Sequence, residues 1–301
     1  MSFAIETKQL SKSYGPVQAV SDLSLTVEPG QVFGFLGPNG AGKSTTIRML
    51  MALQRASSGE ARVLGLDPQR DDVELHRRVS YLPGDLELFA RMTGRHHTDV
   101  FAQLKGGADA AFIKELAERF QVVMDRPARE LSKGNRQKIG LVMAFMTKPE
   151  LLILDEPTTG LDPLMQHEFE RLLRETVRDG RTVFLSSHDL DEVQRVTDRI
   201  AIIKQGRMVA VGIVDDLAKT LPRQIEARFA RPVSRTAFES LPGVKVTAMD
   251  GTRVALEITG DIAPVIRAIA AHEPVDVLSR HANLEELFLN TYRPSVAEEV
   301  K

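Results

Sequence analysis

The sequence contains no cysteine among its 301 residues. This absence excludes disulfide bonds, thiolate nucleophiles and cysteine-ligated zinc or iron–sulfur sites. Long apolar runs are also missing: no stretch approaches the ~18 to 20 residues that a membrane-spanning helix needs, and Glu6 interrupts the start where a signal peptide would be apolar. We therefore expect a chain that does not cross a membrane by itself and that stays in the reducing cytoplasm.

An excess of charge of one sign is absent as well. The 39 Lys and Arg residues oppose 41 Asp and Glu residues, which gives a formal net charge of -2. Without a global positive field the chain is not attracted to nucleic acid, and no nucleic-acid partner is expected. Charged residues make up 27% and hydrophobic residues 43% of the sequence, a balance typical of a folded protein. The length is sufficient for about two domains.

Apolar runs of strand length alternate with helical patterns from residue 32 to about residue 203. This alternation is typical of an α/β fold with a parallel sheet and crossover helices. The buried strands are predicted at VFGFL, LLIL and TVFLSS. Short antiparallel strands on either side of Tyr14-Gly15-Pro16 are predicted to border this core, and residues 85–145 are predicted to form a helical insertion. The first domain is expected to span residues 1–217.

Residues 221–301 have a different pattern. VKVTAM and TRVALEI flank Asp250-Gly251, which is predicted to be a two-residue hairpin turn with residues 244, 246 and 248 facing 254, 256 and 258. A helix from Asp261, a strand at VDVLS and a last helix capped by Asn283 follow. The order strand, helix, strand, strand, helix, strand predicts a small α+β accessory domain of ferredoxin-like type.

The motif GPNGAGKST lies between a predicted buried strand and a predicted helix. It fits the pattern G-x-x-x-x-G-K-[ST] of a phosphate-binding loop, the P-loop. Glycines let backbone N–H groups surround phosphates, the lysine neutralises the outer phosphates, and the serine hydroxyl reaches Mg²⁺. The predicted nucleotide-binding residues are Gly37, Pro38, Asn39, Gly40, Ala41, Gly42, Lys43, Ser44 and Thr45.

A second part of a nucleotide site is predicted at LLILDEP, where Asp155 ends an apolar strand and Glu156 follows. Because neighbouring strand residues point in opposite directions, the two carboxylates can take different roles. We assign Asp155, together with Ser44, to Mg²⁺. Glu156 is expected to orient and deprotonate the attacking water, since phosphoryl transfer is catalysed by positioning and charge stabilisation.

Four further elements follow in the order seen in the ATP-binding cassette (ABC) ATPase family. They are Tyr14 before the first turn, LSKGN at residues 131–135, TTGLD at residues 158–162, and His188 after TVFLSS. The sequence resembles this family over residues 3 to about 217, and it is similar in particular to the ATP-binding subunits of drug-resistance type bacterial exporters. The resemblance implies a P-loop NTPase core of ABC type.

The same resemblance implies roles for these residues. Tyr14 would stack on the adenine of ATP, and His188 would steady the terminal phosphate near Glu156. LSKGN resembles the family's LSGGQ signature, whose Ser132, Lys133 and Gly134 would contact a nucleotide held by a second copy of the chain. TTGLD, ending at Asp162, resembles the D-loop. Ser132 is also a good N-cap for the helix that follows, whose end can receive an anion.

The implied protein is an ATP-hydrolysing subunit that works as a homodimer and energises export through separate integral membrane permease subunits. It would lie peripherally on the inner face of the cell membrane. Two alternatives stay open. One is an ABC ATPase without transport that acts on ribosomes or DNA; the other is a regulatory module that holds ATP without turnover.

Two positions depart from the family pattern. Gly84, followed by Asp85, stands where the family usually has glutamine, and slowed hydrolysis is expected because glycine cannot contact water or Mg²⁺. In the signature, Lys133 and Asn135 replace glycine and glutamine; Lys133 is either solvated or faces the partner's nucleotide. The pair His96-His97 and the charged stretch 115–129 are expected to be exposed to solvent.

Overall fold

The computed structural model describes residues 3–214, 216 and 223–280. Contacts divide the chain into two compact units, Met1–Gly212 and Ile213–Lys301. The predicted boundary between residues 217 and 221 lies outside the described residues. Within the described ranges, no helix is both long enough and apolar enough to cross a membrane.

The first unit alternates strands and helices, as its pattern predicts. Its strands are β1 (Ile5–Tyr14), β2 (Val17–Val27), β3 (Val32–Leu36), β4 (Ser58–Val63), β5 (Val79–Leu82), β6 (Leu151–Asp155), β7 (Thr182–Ser187), β8 (Arg199–Lys204) and β9 (Arg207–Ile213). Its helices are α1 (Lys43–Leu50), α2 (Asp72–Arg78), α3 (Gly94–Leu104), α4 (Ala110–Arg119), α5 (Lys133–Phe145), α6 (Pro163–Arg178) and α7 (Leu190–Val196).

Six of these strands form one sheet in the order β5-β6-β7-β3-β8-β9, and the pairs from β5 to β8 are parallel. Every residue of β3, β6 and β7 is buried, which explains their continuous apolar sequences. The parallel arrangement brings the carboxyl ends of these three strands to one edge. A second sheet, β2-β1-β4, is antiparallel and contains the predicted border strands.

Helices α3, α4 and α5 lie between β5 and β6, in the stretch where an insertion is predicted. Side chains of Thr93, Asp109 and Ser132 accept hydrogen bonds from the first turns of these helices and so define where they begin. The expectation of a solvated histidine pair is wrong for His97, which is buried in α3. Its Nε2 accepts a hydrogen bond from the N–H of Phe89 at 2.9 Å.

The second unit contains β10 (Arg223–Phe229), α8 (Thr236–Glu239), β11 (Val244–Asp250), β12 (Arg253–Ile258), α9 (Ala263–Ala271) and β13 (Pro274–Arg280). The strands pair antiparallel in the order β11-β12-β10-β13. Their inner side chains form a core of their own. The helix predicted at Asn283 lies outside the described residues, so the ferredoxin-like assignment stays a prediction.

The hairpin of this unit corrects the predicted turn. Asp250 pairs with Arg253, so the two turn residues are Gly251 and Thr252 rather than Asp250 and Gly251. A register shift after Val246 places Ala248 opposite residue 255 instead of 254. An extra residue in one strand displaces every later pair by one, which the alternation of the sequence does not reveal.

Candidate functional site

The glycine loop connects β3 to α1, and two of its glycines have no room for a side chain. A Cβ on Gly37 would lie 2.5 Å from the carbonyl oxygen of Ile203. A Cβ on Gly42 would lie 2.6 Å from the carbonyl oxygen of Ala19, and Gly42 has φ +108°. Gly40 also has positive φ, +80°. The loop therefore needs glycine at the positions where its backbone turns towards the N-terminus of α1.

Lys43 is the first residue of α1, and its side chain is only 6% exposed. Its Nζ donates hydrogen bonds to the carbonyl oxygens of Gly37 at 2.5 Å and Pro38 at 3.2 Å. The same ammonium lies 3.1 Å from Oε1 of Glu156. The lysine thus places a positive charge at the mouth of the loop, beside the positive end of the helix.

Two adjacent carboxylates follow β6. Asp155 is the last strand residue, is buried, and accepts a hydrogen bond from Oγ of Ser186 at 2.5 Å. Glu156 has φ +50°, a left-handed conformation, and its N–H donates to the carbonyl oxygen of Ser186 at 3.2 Å. Glu156 is therefore not a strand residue, so the strand alternation that we expected to separate the two carboxylates is wrong. The turn at Glu156, rather than strand alternation, separates the two carboxylates.

His188 comes directly after β7 and completes a line of three charged or titratable side chains. Its Nδ1 lies 2.7 Å from Oε2 of Glu156, in a hydrogen bond, while Oε1 of the same carboxylate pairs with Lys43. The His188 side chain is 54% exposed, whereas that of Glu156 is 19% exposed. The structure therefore brings the P-loop lysine, the predicted base and the predicted histidine together at one edge of the sheet.

Asp155, Glu156 and His188 border a cleft of about 630 Å³. Its lining residues are Asn39, Ser44, Arg48, Leu53, Tyr81, Pro83, Gly84, Asp85, Lys133, Asp155, Glu156, Thr159 and His188. Lys133 of the signature segment reaches the cleft of its own chain, which the sequence does not predict.

Several predicted residues lie outside this lining. The hydroxyl of Tyr14 donates to Oε1 of Gln54 at 2.7 Å, and Nζ of Lys12 lies 5.2 Å from the centre of its ring. Ala41 is buried in the loop. Thr45 is partly buried in the first turn of α1.

The signature and D-loop segments contact each other. A Cβ on Gly134 would lie 2.5 Å from the carbonyl oxygen of Gly160, so a side chain at position 134 is excluded. Ser132 caps α5 by accepting a hydrogen bond from the N–H of Asn135 at 3.2 Å, and Asp162 caps α6 through Met165 at 3.0 Å. These caps fix where both helices begin next to the cleft.

Sequence reasoning missed Arg48 and Tyr81, which line the cleft from α1 and β5. Burial, with a smaller contribution from Asp155, raises the pKa of Tyr81 to about 12. Its phenol is therefore protonated at neutral pH and can donate a hydrogen bond in the cleft. The position of Tyr81 in the short apolar run VSYL, just before Pro83, was the available signal.

A glycine loop between a buried parallel strand and a helix, joined at the sheet edge by carboxylates and a histidine, defines a P-loop nucleotide-hydrolysing domain. The family model for the ABC transporter matches residues 20–159. The Nod factor export ATP-binding protein I of Paraburkholderia xenovorans (strain LB400) is 34% identical over 95% of this chain and 96% of its own length. The chain belongs to the ABC transporter family, as the signature motifs indicate, and it is one of the family's ATP-binding ATPase chains.

Other relatives agree with this membership. The daunorubicin/doxorubicin resistance ATP-binding protein DrrA of Streptomyces peucetius is 39% identical, with 72% of this chain and 68% of that protein aligned. A solved ATP-binding subunit of an ABC transporter superposes with a TM-score of 0.67 at 30% identity, covering 72% of this chain and 92% of that one. The predicted fold class of the core is thereby confirmed.

Proposed function

We propose that this chain hydrolyses ATP as the motor subunit of an exporter, working as a homodimer on an integral membrane permease at the cytoplasmic face of the membrane. The observation that carries the proposal is the line from Lys43 through Glu156 to His188, with distances of 3.1 and 2.7 Å. Export is supported by relatives whose names describe Nod factor export and drug resistance. The transport-free alternative has no such support among them.

Each member of this line has a distinct task. The Glu156 carboxylate orients and deprotonates the attacking water, and His188 holds that carboxylate and the terminal phosphate in place. Lys43 neutralises the outer phosphates, assisted by the N–H groups of the loop and the end of α1. Hydrolysis then releases phosphate and allows the two chains to separate.

The donor set of the cleft fits Mg²⁺. The hydroxyl of Ser44 and the buried carboxylate of Asp155 both border the cleft and offer the oxygen ligands that Mg²⁺ prefers. Among the described residues, no group of three or more His, Asp or Glu side chains forms a metal cage. Mg²⁺ is commonly held by one or two carboxylates plus substrate phosphates, so a complete protein cage is not needed. When bound, the ion would offset charge on the phosphates.

The placement of the signature segment supports the proposed dimer. Ser132 and Gly134 do not line the cleft of their own chain, and we infer that they contact the nucleotide of the partner copy. Two such contacts about a two-fold axis close the assembly. The additional binding free energy at the phosphate drives the chains together.

Mixed dimers test the shared site. A Lys43→Ala chain paired with a Ser132→Ala chain keeps one site with both an intact P-loop and an intact partner signature, so hydrolysis persists. A chain carrying both substitutions, paired with the unaltered chain, keeps no such site, and hydrolysis is lost. Differently tagged chains allow each mixed dimer to be purified, and phosphate release is measured.

Equal rates in the two mixed dimers would contradict the shared site, because both contain the same set of substitutions.

Glu156→Gln is the control for turnover: it retains ATP binding and removes phosphate release, which also excludes a module that only holds ATP. Co-purification with a multi-span membrane protein after detergent extraction tests the transport role. Co-purification with ribosomes instead would favour the alternative.

A further inference from the structure

Ser186 carries a buried hydroxyl beside the two carboxylates of the site, and the proposed mechanism gives it no task. It is the fifth residue of β7 and is 0% exposed. Strands β6 and β7 are parallel, and Asp155 and Ser186 are partners in their register. Because register partners present their side chains on the same face of a sheet, the hydroxyl meets the Asp155 carboxylate. A buried hydroxyl is costly unless it is hydrogen-bonded, so its partners matter to the fold.

The hydrogen bonds of this hydroxyl have a defined direction. Its oxygen accepts from the N–H of Glu156 at 3.1 Å, and it donates to Oδ1 of Asp155 at 2.5 Å. A backbone N–H can only donate, so the single hydroxyl hydrogen is left for Asp155. Oδ1 of Asp155 is therefore held by Ser186. The other oxygen, Oδ2, lies beside Gly84 at the cleft and is better placed for a ligand.

We propose that Ser186 is a positioning residue whose one hydroxyl fixes the Asp155 carboxylate and the Glu156 backbone relative to each other. This inference rests on the proposed function, in which Asp155 holds Mg²⁺ and Glu156 activates water. Ser186 is fully buried and lies outside the described lining of the cleft, so it acts through these two neighbours.

Glu156 needs such support because its backbone is left-handed, with φ +50°, a conformation that L residues seldom adopt. Its N–H is shared between the carbonyl oxygen of Ser186 at 3.2 Å and Oγ of Ser186 at 3.1 Å. The Glu156 carboxylate contacts Lys43 at 3.1 Å and His188 at 2.7 Å, so a displaced backbone alters both contacts. A misplacement of about 1 Å can cost on the order of 10²-fold in rate.

Ser186→Ala removes the hydroxyl and leaves the backbone carbonyl of residue 186 in place. We expect kcat to fall on the order of 10- to 100-fold, because the alignment of Asp155 and Glu156 is lost. The affinity for ATP should stay within about 2-fold, because the P-loop holds the phosphates. Phosphate release and equilibrium binding of ATP measure the two quantities separately.

Ser80→Ala is the matched control. It removes another serine hydroxyl that is 0% exposed and belongs to the same sheet, on β5. The Ser80 hydroxyl lies 3.3 Å from Oγ1 of Thr147, away from the site. Both variants lose a buried hydroxyl and are expected to be less stable, but only Ser186→Ala should lower kcat.

Hydrogen exchange of the Glu156 N–H, followed by NMR, tests the contact without turnover. We expect faster exchange in Ser186→Ala, because one of the two acceptors of this N–H is removed, and no change in Ser80→Ala. Ser186→Cys keeps a similar shape and serves if the alanine variant does not fold. A thiol is a weak donor and a weak acceptor, so kcat should still fall, by roughly 3- to 10-fold.

Three results would overturn the inference: an unchanged kcat in Ser186→Ala, or in Ser186→Cys where only that variant folds; an equal loss of kcat in Ser80→Ala; or unchanged exchange of the Glu156 N–H. Failure of the proposed function is distinguishable, since Glu156→Gln would then leave phosphate release intact. The inference fails alone when Glu156→Gln abolishes turnover and the serine variants give one of those three results.

Discussion

Gly84 lines the cleft at the position where the family resemblance leads us to expect glutamine. Its φ is not in the left-handed region, and a Cβ there would lie 3.5 Å from Oδ2 of Asp155, an ordinary contact distance. A side chain is therefore accommodated at position 84. Gly84→Gln is expected to raise the ATPase rate by roughly 3- to 10-fold, because an amide beside Asp155 can orient water. The rate is measured over a range of Mg²⁺ concentrations.

Gly84→Ala is the matched control, since it fills the same space without an amide. It is expected to leave the rate close to that of the unaltered chain. An unchanged rate and an unchanged Mg²⁺ dependence in Gly84→Gln would show that the missing glutamine does not limit hydrolysis.

Glu192, a buried carboxyl on α7, makes the stability of the fold depend on pH. Burial raises its pKa above the ordinary value of 4.5, so the folded chain binds this proton more tightly than the unfolded chain does. This contribution to stability is present below the unfolded pKa and is lost as pH rises through the folded pKa. Glu192→Gln replaces this titrating carboxyl by a neutral amide. The free energy of unfolding of the variant should therefore rise relative to that of the unaltered chain as pH increases from about 4.5.

Urea unfolding at a series of pH values measures this difference. If the difference in unfolding free energy between the unaltered chain and Glu192→Gln stays constant over the whole pH series, Glu192 gains no proton affinity on folding.

Between elements, Arg119 joins the helical insertion to the core. It ends α4, and its guanidinium contacts Glu168 at 2.6 Å and Glu175 at 2.7 Å, both on α6. The Arg119 side chain is 17% exposed and that of Glu168 15% exposed. Arg119→Ala leaves these carboxylates without their shared partner and should lower the free energy of unfolding by about 1–3 kcal/mol.

The control for Arg119 is Arg95, whose ion pair with Asp125 at 3.0 Å is exposed on both sides. Arg95→Ala should cost less than about 0.5 kcal/mol. The two variants are compared by the urea concentration at the midpoint of unfolding, with the dependence of the unfolding free energy on urea unchanged. Equal shifts would mean that burial adds nothing to the Arg119 contacts.

The elements also show how far sequence reasoning extends. The P-loop was predictable because its residues are contiguous, whereas the proximity of His188 to Glu156 was expected only from the resemblance to the ABC family. The contacts of Arg119 were not predictable, since they depend on how separate elements pack, and charged residues are usually solvated. The predicted register of the hairpin was wrong because one strand contains an added residue, which a periodic sequence pattern does not reveal.

For the whole molecule, the two units have separate apolar cores. Phe33, Ile153 and Phe184 belong to a core confined to the first unit, whereas Phe238 and Leu256 belong to that of the second. The cleft is lined by residues between positions 39 and 188. The described core and cleft of the first unit are therefore built from residues of that unit, as is typical of a domain that can fold on its own.

A chain ending at residue 216 is therefore expected to fold, and its ATPase rate should stay within about 3-fold of the full chain. Glu156→Gln in this shortened chain should form a dimer with Mg²⁺ and ATP, because the P-loop and the signature segment are both retained. Size-exclusion chromatography with light scattering measures the dimer. A shortened chain that folds and binds ATP yet stays monomeric would place part of the dimer contact in the second unit, since only that unit has been removed.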